Sequence, residues 1–258
     1  MSAVTGRKAA LVTGGAVRLG RAIAISLAAA GYDIALHYNS SEAEALTAAA
    51  DIRARGARCE LFQHDLCQID HLDSMIASVA SKFPGLDVLV NSASAYQAGT
   101  ISDTTPAQLD RLWTVNFTAP FFLMKEFCKR IDRGSIVNIL DNKIAFNQYH
   151  YAAYLISKKA LADVTKMAAL EFAPRIRVNG IAPGVVLPAS IRSDEYLQWR
   201  HQGIPMSRAG HPDHVCEAIG CILANEFITG QILFVDGGEG MNAVGRNTAN
   251  FRSSAAAI

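Results

Sequence analysis

Short apolar runs and amphipathic stretches take turns along this chain, and that alternation limits the possible folds more than any other feature. Runs of strand length fall at 8–13, 33–38, 59–65, 87–92, 135–141, 176–182 and 231–236. Helical patterns lie between them: 19–30, an Ala-rich stretch ending near Gly56, 72–83, 106–131, a stretch through Tyr154 to Phe172, and 214–224. Parallel strands need long crossovers, and helices supply them. The pattern therefore predicts an α/β protein with a doubly wound, seven-stranded parallel sheet covered by helices on both faces. With 258 residues, half of them hydrophobic, one core is enough, so a single domain over 1–258 is expected. The polar, Pro-bearing stretch 185–211 reads as a substrate loop, with Tyr196 and Trp199 as a lid or as packing for a short helix. The tail 241–258 reads as loose or as part of an oligomer contact.

Composition narrows the partners. A formal net charge of +1 gives no reason to expect nucleic acid or an acidic surface. Five cysteines without a Cys-x-x-Cys pair, and no signal peptide, fit reduced thiols in the cytoplasm. No apolar run is long enough to span a bilayer. His211-x-x-His214 has ligand-like spacing but no further donors, so it reads as a helix-start pair and no metal is expected. Cys216 and Cys221, and the run Phe121-Phe122-Leu123-Met124, read as packing.

The first strand leads into Val12-Thr13-Gly14-Gly15-Ala16-Val17-Arg18-Leu19-Gly20. Glycines let a backbone turn tightly against a pyrophosphate, and a helix N-terminus offers free N–H groups and partial positive charge. Arg18 is unusual there, because a cation at a helix start opposes the macrodipole by roughly 0.3–1 kcal/mol. Either a bound anion reverses that sign or the side chain simply reaches solvent. A fold that binds NAD usually has an acid at the end of the second strand for the ribose hydroxyls. Here that region is His37-Tyr38-Asn39-Ser40-Ser41. Imidazole, amide and hydroxyls suit a 2′-phosphate, with Arg18 to help, which favours NADP(H). Asp65 is placed to hold the adenine amino group, or to cap the next helix.

Thr13-Gly14-x-x-x-Arg18-x-Gly20, Asn91-x-Ala93, Asn116, Tyr154-x-x-x-Lys158, Pro183-Gly184 and Asp236-Gly237-Gly238 together resemble the short-chain dehydrogenases/reductases, from Lys8 to about Gly238. The resemblance implies a Rossmann fold and a homotetramer built on the long fourth helix. It also implies a cofactor held by Gly14, Arg18, Leu19, Gly20, the 37–41 stretch, Asp65, Leu66, Ser92, Ala93, Ser94, Tyr154, Lys158, Pro183 and Gly184. In most of that family a glycine stands at the position of Arg18 and a catalytic serine at that of Asp141. Both replacements are similar to the pteridine reductase branch, which includes dihydromonapterin reductases. Ser94 followed by Tyr96 resembles that branch too, with the serine on the cofactor and the aromatic stacked on the pterin. Asn-Ser-Ala-Ser at 91–94 departs from the usual Asn-Asn-Ala-Gly. The usual Thr after Pro-Gly is missing, with Leu187 near that point.

Tyr154 and Lys158 stand four apart and share a helix face. The phenol is the expected proton donor, and a nearby ammonium is expected to lower its pKa. By resemblance, Lys158 also holds the nicotinamide ribose, and Asn116 interrupts the backbone ladder of its helix and binds a relay water. Asp141, at the rim of the fifth strand, changes the balance. As a carboxylate it keeps the phenol protonated; as an acid it passes a proton to or through it. Both suit an imine-like C=N bond, whose nitrogen must gain a proton. The alternative is an Asp141 that caps its strand and faces water. The expected activity is NADPH-dependent reduction of a 7,8-dihydropterin, with Arg18, Ser94, Tyr96, Asp141 and Tyr154 around the substrate. Reduction of a carbonyl or 3-oxoacyl thioester, or a non-catalytic NADP(H) sensor, are the alternatives.

Overall fold

The computed structural model describes residues 6–187 and 193–241. Pro188, in the expected substrate loop, and the tail beyond Met241 lie outside the described residues. The strands are β1 (Ala9–Val12), β2 (Asp33–Tyr38), β3 (Cys59–Gln63), β4 (Leu86–Asn91), β5 (Gly134–Ile139), β6 (Ile176–Pro183) and β7 (Ile232–Val235). They form one sheet in the order β3-β2-β1-β4-β5-β6-β7, and every neighbouring pair is parallel. The helices are α1 (Arg18–Ala29), α2 (Glu42–Arg53), α3 (Leu72–Lys82), α4 (Pro106–Trp113), α5 (Ala119–Arg130), α6 (Ala152–Phe172), α7 (Asp194–His201) and α8 (Pro212–Ala224).

Successive strand residues point to opposite faces. Ala9 and Leu11 join Phe127, Leu123 and Met124 beneath α3, α5 and α6. Ala10 and Val12 join Ile23, Leu36 and Ile219 beneath α1, α2 and α8. Both faces are dry, which is why the strands read as continuous apolar runs rather than as an alternation. Burial on two sides also sets the register, since a slip of one residue would exchange the two cores. A buried amide chain adds specificity. Asn91 Nδ2 donates to Asn138 Oδ1 (2.8 Å), and Asn138 Nδ2 donates to Thr165 Oγ1 (2.9 Å). It stitches β4 to β5 and seats α6 on the sheet.

The chain runs β1-β2-β3 to one side, then returns to place β4 on the other side of β1. That reversal opens a crevice beyond the C-terminal ends of β1 and β4, where ligands bind in open parallel sheets.

Three sequence expectations are corrected here. The helix expected at 106–131 is broken: residues Thr114–Thr118 form a π-helical turn between α4 and α5. Cys221 is exposed while Cys216 is buried, because five residues at 100° each place them on different faces of α8. Phe121 is exposed although Leu123 and Met124 are buried.

Candidate active site

The crevice is a groove of about 490 Å³. Its lining includes Gly14, Arg18, Leu19, Gly20, the 37–41 stretch, Asp65, Leu66, Ser92, Ala93, Ser94, Tyr96, Asp141, Tyr154, Lys158, Pro183 and Gly184. Of the residues expected at the site from sequence, Asn116 alone lies behind the wall.

At one end is the glycine turn. Gly14 has φ +64°, and a Cβ there would sit 2.9 Å from Ala93 Cα. A Cβ on Gly20 would sit 2.1 Å from the carbonyl oxygen of Gly14. Neither space tolerates a side chain, so α1 starts hard against the turn and its first N–H groups open on the groove. Thr13 Oγ1 accepts from the amides of Ser92 (3.0 Å) and Ala93 (3.1 Å), which locks the ends of β1 and β4 together. This cradle, with its helix N-terminus, fits a pyrophosphate.

Arg18 adopts φ +49° where glycine would rest without strain, a conformation that costs a branched or long L-residue roughly 1–2 kcal/mol. Its guanidinium donates to the carbonyl of Leu187 (2.7 Å), across the groove mouth. The imidazole of His37, expected to face a 2′-phosphate, is instead turned inward. Its Nδ1 accepts from the Gly14 amide (3.1 Å) and Nε2 lies 3.0 Å from the His64 carbonyl. Burial pushes its pKa down to about 4, so the ring is neutral and supports the turn rather than a phosphate charge. The polar groups left for a phosphate at this end are Asn39, Ser40, Ser41 and Arg18. The end of β2 carries no acid. Asp65 Oδ1 accepts from the Cys67 amide (2.9 Å), so it caps a turn while still lining the groove.

At the other end is the reacting cluster. β5 stops at Ile139, and Asp141 caps a short helical turn, Asn142–Ala145, by accepting from the Lys143 amide (2.9 Å). Its other oxygen, Oδ2, accepts from the phenol of Tyr154 (2.8 Å). So Asp141 both caps and faces inward; the solvent-facing alternative is excluded. Burial, then the charge and hydrogen bond of Asp141, raise the Tyr154 pKa well above its ordinary value. Lys158 is buried, its ammonium donates to the Ile139 carbonyl (2.9 Å), and burial lowers its pKa to about 8. The expectation that Lys158 lowers the phenol is thus not met, since desolvation and the adjacent carboxyl outweigh the ammonium.

Asn116 sits in the π-helical turn, where widened geometry frees its side chain to point inward. Oδ1 accepts from Ser94 Oγ (3.0 Å) and the Ala95 amide (2.9 Å). Nδ2 donates to the Ala95 carbonyl (2.9 Å) and Ser157 Oγ (3.2 Å). In this arrangement its side chain clamps the 94–95 loop. Tyr96 is 55% exposed. It packs edge-on against Tyr154 (4.7 Å between centroids) and stacks on Tyr151 (4.9 Å).

Sequence reasoning missed Arg111 and Val115, which line the groove four apart on one helical face. It also missed Tyr151, whose signal was its three-residue spacing from Tyr154. Among the described residues no group of His, Cys, Asp and Glu is placed to hold a metal ion, and His211 and His214 serve as a reciprocal cap of α8.

The arrangement favours proton donation. It keeps a phenol protonated next to a carboxyl, with a buried ammonium lining the same groove. A family model described as enoyl-(acyl carrier protein) reductase matches residues 15–239. The 3-oxoacyl-[acyl-carrier-protein] reductase FabG of Staphylococcus aureus is 30% identical over 239 residues, covering 90% of this chain and 97% of that protein. A short-chain dehydrogenase/reductase of Armillaria gallica is 32% identical, over 92% of this chain and 97% of that protein. Among solved structures, FolM alternative dihydrofolate reductase 1 from Brucella suis, in complex with NADP, superposes with a TM-score of 0.86 at 30% identity, covering 93% of this chain and 97% of that one. The Brucella canis counterpart, also with NADP, gives 0.85 at 31%, covering 91% and 95%. On the matched span, the sheet order and the site residues, the chain belongs to the short-chain dehydrogenase/reductase family.

Proposed function

We propose that the protein is an NADPH-dependent pteridine reductase that takes a 7,8-dihydropterin, of the dihydromonapterin, dihydrobiopterin or dihydrofolate type, to its tetrahydro form. The observation that carries this reading is the 2.8 Å hydrogen bond from the Tyr154 phenol to the Asp141 carboxyl. A family member that oxidises alcohols needs a phenolate base at this position, and this site opposes one. The Brucella structures, named as alternative dihydrofolate reductases with NADP, support the same reading.

The groove suits NADP(H): the glycine cradle takes the pyrophosphate, Arg18, Asn39, Ser40 and Ser41 take the 2′-phosphate, and Lys158 takes the nicotinamide ribose. When bound, the reduced nicotinamide supplies the hydride. Tyr96 presents an aromatic surface for a flat heterocycle, whose carbonyl edge is the alternative partner for the Arg18 guanidinium. The C=N carbon gains the hydride while its nitrogen takes the proton held between Tyr154 and Asp141, so the double bond becomes CH–NH and charge balances. Asp141 holds the phenol in its donor state before transfer. Lys158 offsets the negative charge that the Tyr154–Asp141 pair carries afterwards.

A second reading, reduction of a 3-oxoacyl thioester, is favoured by the 30% identity to the Staphylococcus aureus FabG. Asp141→Ser separates them. With NADPH oxidation followed across dihydropterins and 3-oxoacyl thioesters, the pterin reading expects wild-type pterin turnover to fall by about 100-fold or more in the variant. Unchanged or improved thioester turnover in the variant, with a wild type inert to pterins, would reject it. We also propose a homotetramer, in keeping with the exposed apolar side chains of Phe121 on α5 and Ile156, Met167 and Leu170 on α6.

A further inference from the structure

Glu239 follows the Asp236-Gly237-Gly238 turn after β7 and has 0% exposure. One carboxyl oxygen pairs with Arg200 of α7 at 2.5 Å, and Arg200 is itself buried. The other accepts from Asn142 Nδ2 (2.9 Å). Asn142, also buried, is the residue after Asp141. Asp236 closes the turn beneath them by accepting from the amides of Gly238 (2.9 Å) and Gly240 (2.5 Å). Three separate elements therefore meet on one carboxylate: α7, the turn after β7, and the strand end that carries the reacting carboxyl.

A buried ion pair is a poor source of stability, because desolvating two charges offsets most of their attraction. Its value here is geometric. Asp141 is held on one oxygen by the Lys143 amide and is joined directly to Asn142 in the chain, so the hold on Asn142 bears on the backbone of Asp141. α7 follows the groove-lining residues Val186 and Leu187 along the chain. The Met206 amide, beyond α7, donates to the Gly237 carbonyl (3.2 Å), a second tie between this segment and the same turn.

We propose that Glu239, Arg200 and Asn142 are positioning residues, which brace the strand end bearing Asp141 against α7 and the turn after β7. The proposal rests on the reading of Asp141 as the proton-side carboxyl. It makes this triad a support of the reacting end of the site rather than of cofactor binding.

The test compares wild type with Glu239→Gln, Arg200→Met, Arg200→Lys and the apolar pair Arg200→Met/Glu239→Leu, using NADPH fluorescence for cofactor affinity and dihydropterin-dependent NADPH oxidation for turnover. The pair removes both charges at similar volume and so avoids leaving one buried and unpartnered. The expected result is a kcat loss of about tenfold or more in Glu239→Gln, Arg200→Met and the pair, with NADPH affinity within about twofold of wild type and partial recovery in Arg200→Lys. If Glu239→Gln does not fold, the apolar pair decides. Wild-type kcat per folded molecule in the pair, or a fall in NADPH affinity that matches the fall in kcat, would overturn the proposal. Failure of the pterin reading shows separately, in the wild type: if that enzyme turns over only 3-oxoacyl thioesters, the same variants are measured with the thioester, and unchanged kcat there sinks the positioning role as well.

Discussion

At the scale of single residues, the site trades stability for chemistry. Lys158 titrates near 8 in the folded chain against 10.5 when free. The folded state therefore binds fewer protons between those values, and burial of the ammonium costs stability at all pH below about 8, a cost relieved as pH rises towards 10.5. Lys158→Met should raise the melting temperature at neutral pH while abolishing turnover. In the wild type, kcat should decline as pH rises through about 8, as the ammonium is lost; a flat pH–rate profile between 7 and 9 would contradict the role given to it. Arg18 makes a similar exchange. Its left-handed backbone predicts that Arg18→Gly is more stable than Arg18→Ala by about 1 kcal/mol, measured by urea denaturation. Both variants should bind NADPH more weakly than wild type, by fluorescence titration, because both lack the guanidinium.

At the scale of elements, the break between α4 and α5 is functional architecture. A regular helix would carry Asn116 past the groove; the π-helical turn directs its amide to the 94–95 loop. Asn116→Ala strips the Ala95 amide and carbonyl of their partners at once. Each unsatisfied group costs about 1–3 kcal/mol, so a loss of roughly 2 kcal/mol or more is expected in denaturant titration, together with loss of turnover as Tyr96 loses its support. A stability change below about 0.5 kcal/mol would mean that the loop is held elsewhere.

At the scale of the whole molecule, α6 has two working faces. Its inner face carries Tyr154 and Lys158. On the outer face Ile156, Met167 and Leu170 are exposed, Leu170 by 84%. Residues 156 and 167 are separated by just over three whole turns and so point the same way. If this stripe is covered in the proposed tetramer, Met167→Glu/Leu170→Glu should yield a smaller particle in light scattering with an unchanged circular dichroism spectrum. A wild type that is already monomeric would refute the assembly.

How much of this was legible beforehand follows from which interactions are local. Strand and helix order, the glycine turn at Gly14 and Gly20, the pairing of Tyr154 with Lys158 and the odd residues Arg18 and Asp141 are written in spacing and side-chain type, because short-range sterics and periodicity act along the chain. Three-dimensional packing alone decided the rest. His37 became a neutral support once two strand ends and the turn closed over it, and the phenol rose rather than fell because burial and one carboxyl outweighed an ammonium whose proton is drawn to the Ile139 carbonyl. The link from Arg200 through Glu239 to Asn142 joins residues up to 97 positions apart. No pattern along a chain encodes such a contact, since it exists only after the sheet has brought the ends of β5 and β7 to one side.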